Sequence, residues 1–205
     1  MVRLRLCCSA LLVMTTCFGY GQETPSWYAF RPNQEIRVRQ LPSLKARSDD
    51  PSDVLLTALD ILFHDQDICC GKGSALEDSA RSADPSSLKD IAAKLQGRHL
   101  LSDGRPIMVT VELVPTTAGD VSYHIVGILA DDRPMLMLWN SHLYILRGVI
   151  FDQTFYSDGS SINRIHKLLL LDPRYSDSRR EVVFDRDNDD WNNVQGLLLV
   201  DAKPQ

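Results

Sequence analysis

The sequence predicts an α+β fold, in which N-terminal helices pack on a C-terminal, mainly antiparallel sheet. Three observations support this prediction. Apolar residues recur at helical spacing before Gly97, short β-rich runs follow it, and the connections between those runs are short enough for hairpins. Helices first and strands afterwards indicate α+β rather than an alternating α/β order.

The N-terminus has the pattern of a secretory signal peptide, which we place at residues 1–21. Arg3 and Arg5 form a basic start, Leu6 to Phe18 is an apolar run, and small residues follow it. The run is shorter than the roughly 18 apolar residues that a spanning helix needs. We therefore expect an exported protein, periplasmic or secreted, whose mature chain has no integral membrane segment.

The charge balance excludes one class of partner. The chain has 22 basic and 27 acidic residues. Loss of Arg3 and Arg5 with the leader leaves 20 basic residues against the same 27 acidic ones, a net charge of −7. This balance, without a cluster of Lys and Arg, argues against binding to nucleic acid. The remaining length suits one domain with a hydrophobic core, which we place at residues 52–205.

An N-terminal arm and three helices are predicted ahead of the sheet. Residues 22–51 are polar and contain Pro25, Pro32 and Pro42, which indicates an extended arm that lies over the domain. Apolar spacing, N-capping residues and the stop signal of Gly97 predict helices at Asp53 to Phe63, Ser74 to Arg81 and Ser87 to Gln96.

Seven strands are predicted after Gly97, each from a short apolar run rich in β-formers. They span Ile107 to Val114, Val121 to Leu129, Met135 to Trp139, Leu143 to Phe151, Ile162 to Leu171, Glu181 to Phe184 and Val194 to Val200. Turn residues such as Asp103-Gly104 and Ser157-Asp158-Gly159 separate them. Short connections of this kind predict mainly antiparallel pairing.

Cysteine usage directs attention to one pair of residues. Three of the five cysteines lie in the leader, so the mature chain keeps only Cys69 and Cys70. Adjacent cysteines are poor partners for each other, and no disulfide framework is expected. Zinc sites usually separate their cysteines by about two to four residues, so no metal or other cofactor is expected.

The segment around Cys70 has features of a nucleophile. It lies at the mouth of the predicted helix that starts at Ser74, where free amides and partial positive charge lower a thiol's pKa from its usual value of about 8.5. The same amides can receive an oxyanion. A thiolate needs an imidazole, which in turn needs an orienting carboxylate or amide. His142 opens one predicted strand and Asp172 follows another, so strand ends at one edge of the sheet would bring them together.

These residues resemble the motifs of the papain-like cysteine peptidases. Gln66 precedes Cys70-Gly71 at the start of a helix, His142 heads an apolar strand, and Leu171-Asp172-Pro173 closes another. The pattern is most similar to the bacterial branch that trims peptide leaders after a double glycine. The resemblance implies a papain-like layout and a peptide or protein substrate. It implies that Cys70 is the nucleophile and Gln66 the oxyanion-hole donor, with His142 as the base and Asp172 as its orienter.

A second assignment of the site uses other residues of the same types. Cys69 adjoins Cys70, His124 opens the predicted strand before the Asp131 turn, and Asn140 follows at a separation closer to that of the family. His142 and Asp172 have the better local context, so we prefer them.

Three functions are compatible with the sequence. The leading hypothesis is an exported thiol hydrolase, a papain-like peptidase or amidase. The alternative is a non-catalytic secreted binding or structural protein on a papain-like scaffold. Thiol redox chemistry or capture of a soft metal by Cys69 and Cys70 ranks last. Geometry separates the first two, because a binding protein need not bring a thiol, an imidazole and an acid together.

Overall fold

The computed structural model describes residues 27–66, 68, 73–114 and 121–205. The predicted signal peptide lies outside the described residues, and so do Cys69 and Cys70. Within the described part, the chain has an α+β fold with four helices and an eight-stranded antiparallel sheet. The predicted fold class and the mainly antiparallel pairing are therefore confirmed.

Three helices come before most of the sheet, and a fourth lies among the strands. They are α1 (Pro51–Phe63), α2 (Ala75–Ser82), α3 (Leu88–Leu95) and α4 (Val121–Ala130). The first three confirm the predicted helices to within two residues. Their N-caps are Asp50, Ser74 and Ser87, and each side chain accepts a hydrogen bond from a backbone amide of the first turn.

The strands are β1 (Trp27–Arg37), β2 (Gly97–Leu100), β3 (Pro106–Val114), β4 (Met135–Trp139), β5 (His142–Tyr156), β6 (Ser161–Leu171), β7 (Glu181–Asp185) and β8 (Val194–Pro204). Their order across the sheet is β2-β3-β8-β4-β5-β6-β7, and β1 pairs with β5. The long strand β5 pairs with β4 over residues 142–146 and with β1 over residues 148–156. Strands β4 and β1 thus follow each other along one side of β5.

The centre of the sheet is buried on both faces. Met135 to Leu138 in β4 and Leu197 to Leu199 in β8 are each at most 2% exposed. Helix α1 packs on β5 and β8, while α3 packs on β3 and β8. Leu88 of α3 lies so close to β8 that a Cβ at Gly196 would be 2.8 Å from its Cδ1 atom. Helix α4 packs across β1, β5 and β6.

The prediction of a strand at residues 121–129 is wrong, because these residues form α4. Its β-branched residues favour a strand locally, but Val121, Ile125 and Leu129 recur at a spacing of four and are buried together. That spacing forms one helix face, and packing of this face on three strands overrides the local preference. His124 therefore lies on a helix and does not open a strand.

The N-terminal arm is more regular than predicted. Trp27–Arg37, inside the segment expected as an extended arm, is strand β1 of the sheet. Its ladder is interrupted between Arg31 and Gln34, around Pro32, where a proline removes no pairing hydrogen bond. The four-residue strand β2 was not predicted either. Among the helices of the described residues, none combines the length and apolar character that crossing a membrane requires.

Candidate functional site

The antiparallel pairing of β5 and β6 brings His142 and Asp172 to the same end of the sheet. His142 is the first residue of β5, and Asp172 follows the last residue of β6. Ile145 of β5 is the register partner of Leu171, so the start of one strand meets the end of the other. The sequence-based expectation that His142 and Asp172 lie close together relied on this meeting of strand ends.

A tight turn presents His142 at this end. Trp139 and His142 are register partners, and Asn140 and Ser141 between them have φ values of 49° and 61°. Positive φ at both central residues is typical of a two-residue type I′ hairpin. The hairpin turn is attached to the short 3-10 turn at Trp191–Asn193, just before β8, because the Asn140 amide donates to the Asn193 carbonyl at 3.1 Å. Asn140 and His142 are both exposed.

Arg174 occupies the space between Asp172 and His142. Its Nε atom lies 2.9 Å from Asp172 Oδ1 and 3.1 Å from Oδ2, and its Nη2 lies 2.5 Å from Oδ2. Its backbone amide also donates to Oδ1, at 3.0 Å. Asp172 is only 2% exposed, and hydrogen bonding to this carboxylate raises the pKa of Arg174 above its usual value. Arg174 Nη1 faces His142 Nδ1 at 3.3 Å.

This contact determines the hydrogen-bonding role of His142 Nδ1. A guanidinium has only donors, so in a hydrogen bond with Arg174 the Nδ1 atom of His142 is the acceptor. The neutral ring then carries its proton on Nε2. In a Cys-His-acid arrangement the orienting carboxylate instead accepts a hydrogen bond from the ring N–H.

A cavity of about 330 Å³ opens beside His142, and we call it the His142 cavity. It lies between the start of α1, the α2–α3 connection, the β4–β5 turn and the loop after β6. Its lining residues are Asp49, Pro51, Val54, Pro85, Ser86, Ser141, His142, Leu143, Arg174 and Tyr175. The walls are largely apolar, with charged groups at Asp49 and Arg174 and polar groups at Ser86, Ser141 and His142. A volume near the lower end of the roughly 300–1,000 Å³ range of ligand pockets suits a small ligand.

Gln66 lies in a different part of the molecule. It is exposed, in the short turn after α1, and lines a separate cavity with Arg39, Asp132 and Arg133. Pro51 and Val54, at the opposite end of α1, line the His142 cavity. A 13-residue helix is about 20 Å long. The structure therefore brings His142 and Asp172 together but does not bring Gln66 to them.

The start of α2, just after the cysteine segment, also lies away from the His142 cavity. Arg81, in the last turn of α2, is 3.2 Å from Asp53 in the first turn of α1. It is therefore the end of α2 that lies near the start of α1. Ser74 caps the other end of this eight-residue helix, about 12 Å away along its axis.

The alternative residues His124 and Asn140 belong to separate elements. His124 is exposed on α4, with its ring edge-on to Tyr123 at 6.4 Å between centroids. Asn140 lies in the β4–β5 turn, two residues before His142. Cys69 and Cys70 lie outside the described residues. Within the described residues, the structure contains no group of three or more His, Cys, Asp or Glu side chains that could hold a metal ion.

Sequence reasoning missed that Arg174 contacts both Asp172 and His142. The run from Asp172 to Arg180 reads as a charged loop in which several arginines have acids nearby. The detectable signal is the spacing of two residues from Asp172 to Arg174, which allows an aspartate to accept from the following backbone amide. Comparison of the chain with protein-family models, curated proteins and solved structures gave no match.

Proposed function

We propose that this chain is an exported, non-catalytic binding protein on a papain-like scaffold, which holds a short peptide segment in the His142 cavity. One observation carries the proposal: Arg174 separates Asp172 from His142. Both oxygens of Asp172 are bound to Arg174, and the ring nitrogen that an orienting acid would hold faces a donor instead. That arrangement suits a residue that binds a ligand better than a base that an orienting carboxylate holds.

The lining of the His142 cavity supports a peptide ligand. Val54 and Leu143 are 5% and 6% exposed and form an apolar wall that suits an aliphatic side chain. Ser86 and the exposed Nε2 side of His142 offer hydrogen bonds to a peptide backbone. The position of α1 to α3 ahead of most of the sheet, the antiparallel pairing and the His and Asp at neighbouring strand ends support the papain-like scaffold.

A tryptophan at Ser86 is expected to fill the cavity and abolish binding. Ser86 is exposed at its rim, so the S86W chain should fold. Ser160 provides a matched control. Like Ser86, it donates its backbone amide and its hydroxyl to the aspartate two residues earlier in the chain. Blocked tripeptides with varied central residues are titrated into each chain and followed by ligand-observed NMR. S86W should lose the signal of the binding peptides, and S160W should keep it.

Two results of that titration would contradict the binding proposal. In the first, none of the tripeptides binds to the unchanged chain. The other is an equal loss of binding in S86W and S160W, since the second position lies in the β5–β6 turn, away from the cavity.

A thiol hydrolase is the second candidate, supported by the start of α2. Ser74 caps this helix, and the Gly73 amide donates to Glu77, so the cysteine segment leads into a helix N-terminus as the sequence predicts. This candidate predicts that iodoacetamide labels Cys70 much faster than a denatured control at neutral pH, and that C70A but not C69A loses peptidase activity. Slow labelling of both thiols would exclude a reactive nucleophile.

A further inference from the structure

A second cavity, of about 560 Å³, lies on the other side of the loop that follows β6. Residues 40–43, His64, Ser176, Asp177, Arg180 and Glu181 line it, and we call it the Arg180 cavity. It shares no lining residue with the His142 cavity. Residues 173–175 separate the two, since Arg174 and Tyr175 line the first cavity and Ser176 and Asp177 the second.

Arg180 is a buried cation whose hydrogen-bonding capacity is only partly used. The residue is 8% exposed, and its Nη2 donates to the Pro42 carbonyl. Its Nε atom is buried and has no hydrogen-bond partner among the described residues. A buried guanidinium without a carboxylate partner is unfavourable, because desolvation of its charge is not compensated.

The neighbouring charges leave this region short of one negative charge. Arg147 donates to Glu181 at 2.6 Å, and Arg179 is paired with Asp177 at 2.9 Å. Within the part of the chain that the structure describes, Arg180 has no such ion pair, so three arginines face two carboxylates there. Burial, and then repulsion from Arg147, lowers the pKa of Arg180, while attraction to Glu181 acts in the opposite direction.

We propose that the Arg180 cavity binds a small carboxylate. A carboxylate accepts charge-assisted hydrogen bonds from a guanidinium, and its single negative charge matches the one uncompensated positive charge. Asp177 and Glu181 on the walls would repel a phosphate, which carries between one and two negative charges near neutral pH. The further polar side chains at the cavity are those of Gln40, Ser43, His64 and Ser176. The peptide proposed for the His142 cavity is not required for this inference.

The test is a calorimetric titration of sodium acetate into the full chain, with chloride adjusted to keep the ionic strength constant. We expect saturable binding of acetate and weaker binding of sodium phosphate. R180M should raise the Kd of acetate about tenfold or more, because a charge-assisted hydrogen bond is lost. R98M is the control, since it removes one exposed positive charge on β2, at the opposite edge of the sheet from β7.

Three outcomes would overturn the proposal. They are no saturable acetate binding to the unchanged chain, tighter binding of phosphate than of acetate, and an equal effect of R180M and R98M. Circular dichroism establishes whether R180M is folded. If it is not, R180K replaces it, because lysine keeps the charge but lacks the planar fork and should also weaken acetate binding.

Discussion

Asp172 and Arg174 have a near-identical counterpart five residues further along the chain. In both cases an arginine two residues after an aspartate donates its backbone amide and its guanidinium to the carboxylate. The two pairs differ in burial. The Asp172 side chain is 3% exposed, whereas that of Asp177 is 53% exposed. The same local motif is therefore expected to contribute differently to the free energy of unfolding at the two positions.

R174M is expected to destabilise the fold strongly, by about 3–5 kcal/mol, because it leaves the buried Asp172 carboxylate without its main partner. The double variant D172N/R174M removes the uncompensated charge and should recover much of that loss. R179M is the matched control and should change stability little, because water solvates both members of its pair. Urea unfolding at neutral pH measures the three free energies of unfolding. Equal losses in R174M and R179M would contradict this account.

At the scale of single residues, the sequence predicts positions better than contacts. Strand ends were enough to expect His142 and Asp172 at one edge of the sheet, and this proximity is confirmed by their common contact with Arg174. The sequence did not indicate that Arg174 would lie between them. The position of Arg174 depends on how the loop after β6 folds back, and hydrophobic periodicity gives no information on the conformation of that loop. The catalytic roles of Cys70 and Cys69 stay a prediction.

At the scale of elements, β5 depends on a glycine at the point where its partner changes. Gly148 lies just beyond the segment paired with β4 and is the register partner of Arg37 in β1. A Cβ at this position would lie 2.7 Å from the Ile36 carbonyl oxygen and 3.1 Å from Leu169 Cδ1. Because the first of these is a backbone atom held in the sheet, it has little freedom to move.

G148A is expected to destabilise the chain by about 1–3 kcal/mol, as overpacking in a buried site usually does. G127A, in the middle of α4, is the matched control, because nothing lies within 4 Å of a Cβ there. Alanine is favoured over glycine within a helix, so G127A should be neutral or stabilising by up to about 1 kcal/mol. Thermal unfolding compares both chains with the unchanged one. A loss in G127A as large as in G148A would exclude the steric explanation.

Elements with strong local signals were predicted correctly, and those defined by distant partners were not. The capping serines Ser74 and Ser87 identify the starts of α2 and α3 from the sequence alone. Strand β1 has only a short apolar run, at residues 27–30, before Pro32 and polar residues, and its partner β5 follows more than a hundred residues later. The local pattern therefore did not identify it as a strand. Helix α4 has a β-branched composition, and only its packing on three strands decides its conformation.

At the scale of the whole molecule, the loop after β6 links two cavities of different chemistry. The His142 cavity has largely apolar walls, whereas the Arg180 cavity has a buried cation and several polar side chains. The loop is tied to the body of the protein by Asp172 with Arg174, by the Arg180 contact with Pro42, and by the Ala46 amide, which donates to Pro173. The antiparallel class of the sheet was predictable from short connections, but its strand order was not, because β8 inserts between strands far earlier in the chain.

The place of β8 also determines when the core can form. It is the last strand of the described residues, yet it lies between β3 and β4, and the pair β2–β3 joins the rest of the sheet only through it. Without β8 the chain holds two strand groups with unpaired inner edges, and long-range pairings of this kind form slowly. The core can therefore close only when β8 has paired with both β3 and β4, and we expect that pairing to be a late, slow step of folding.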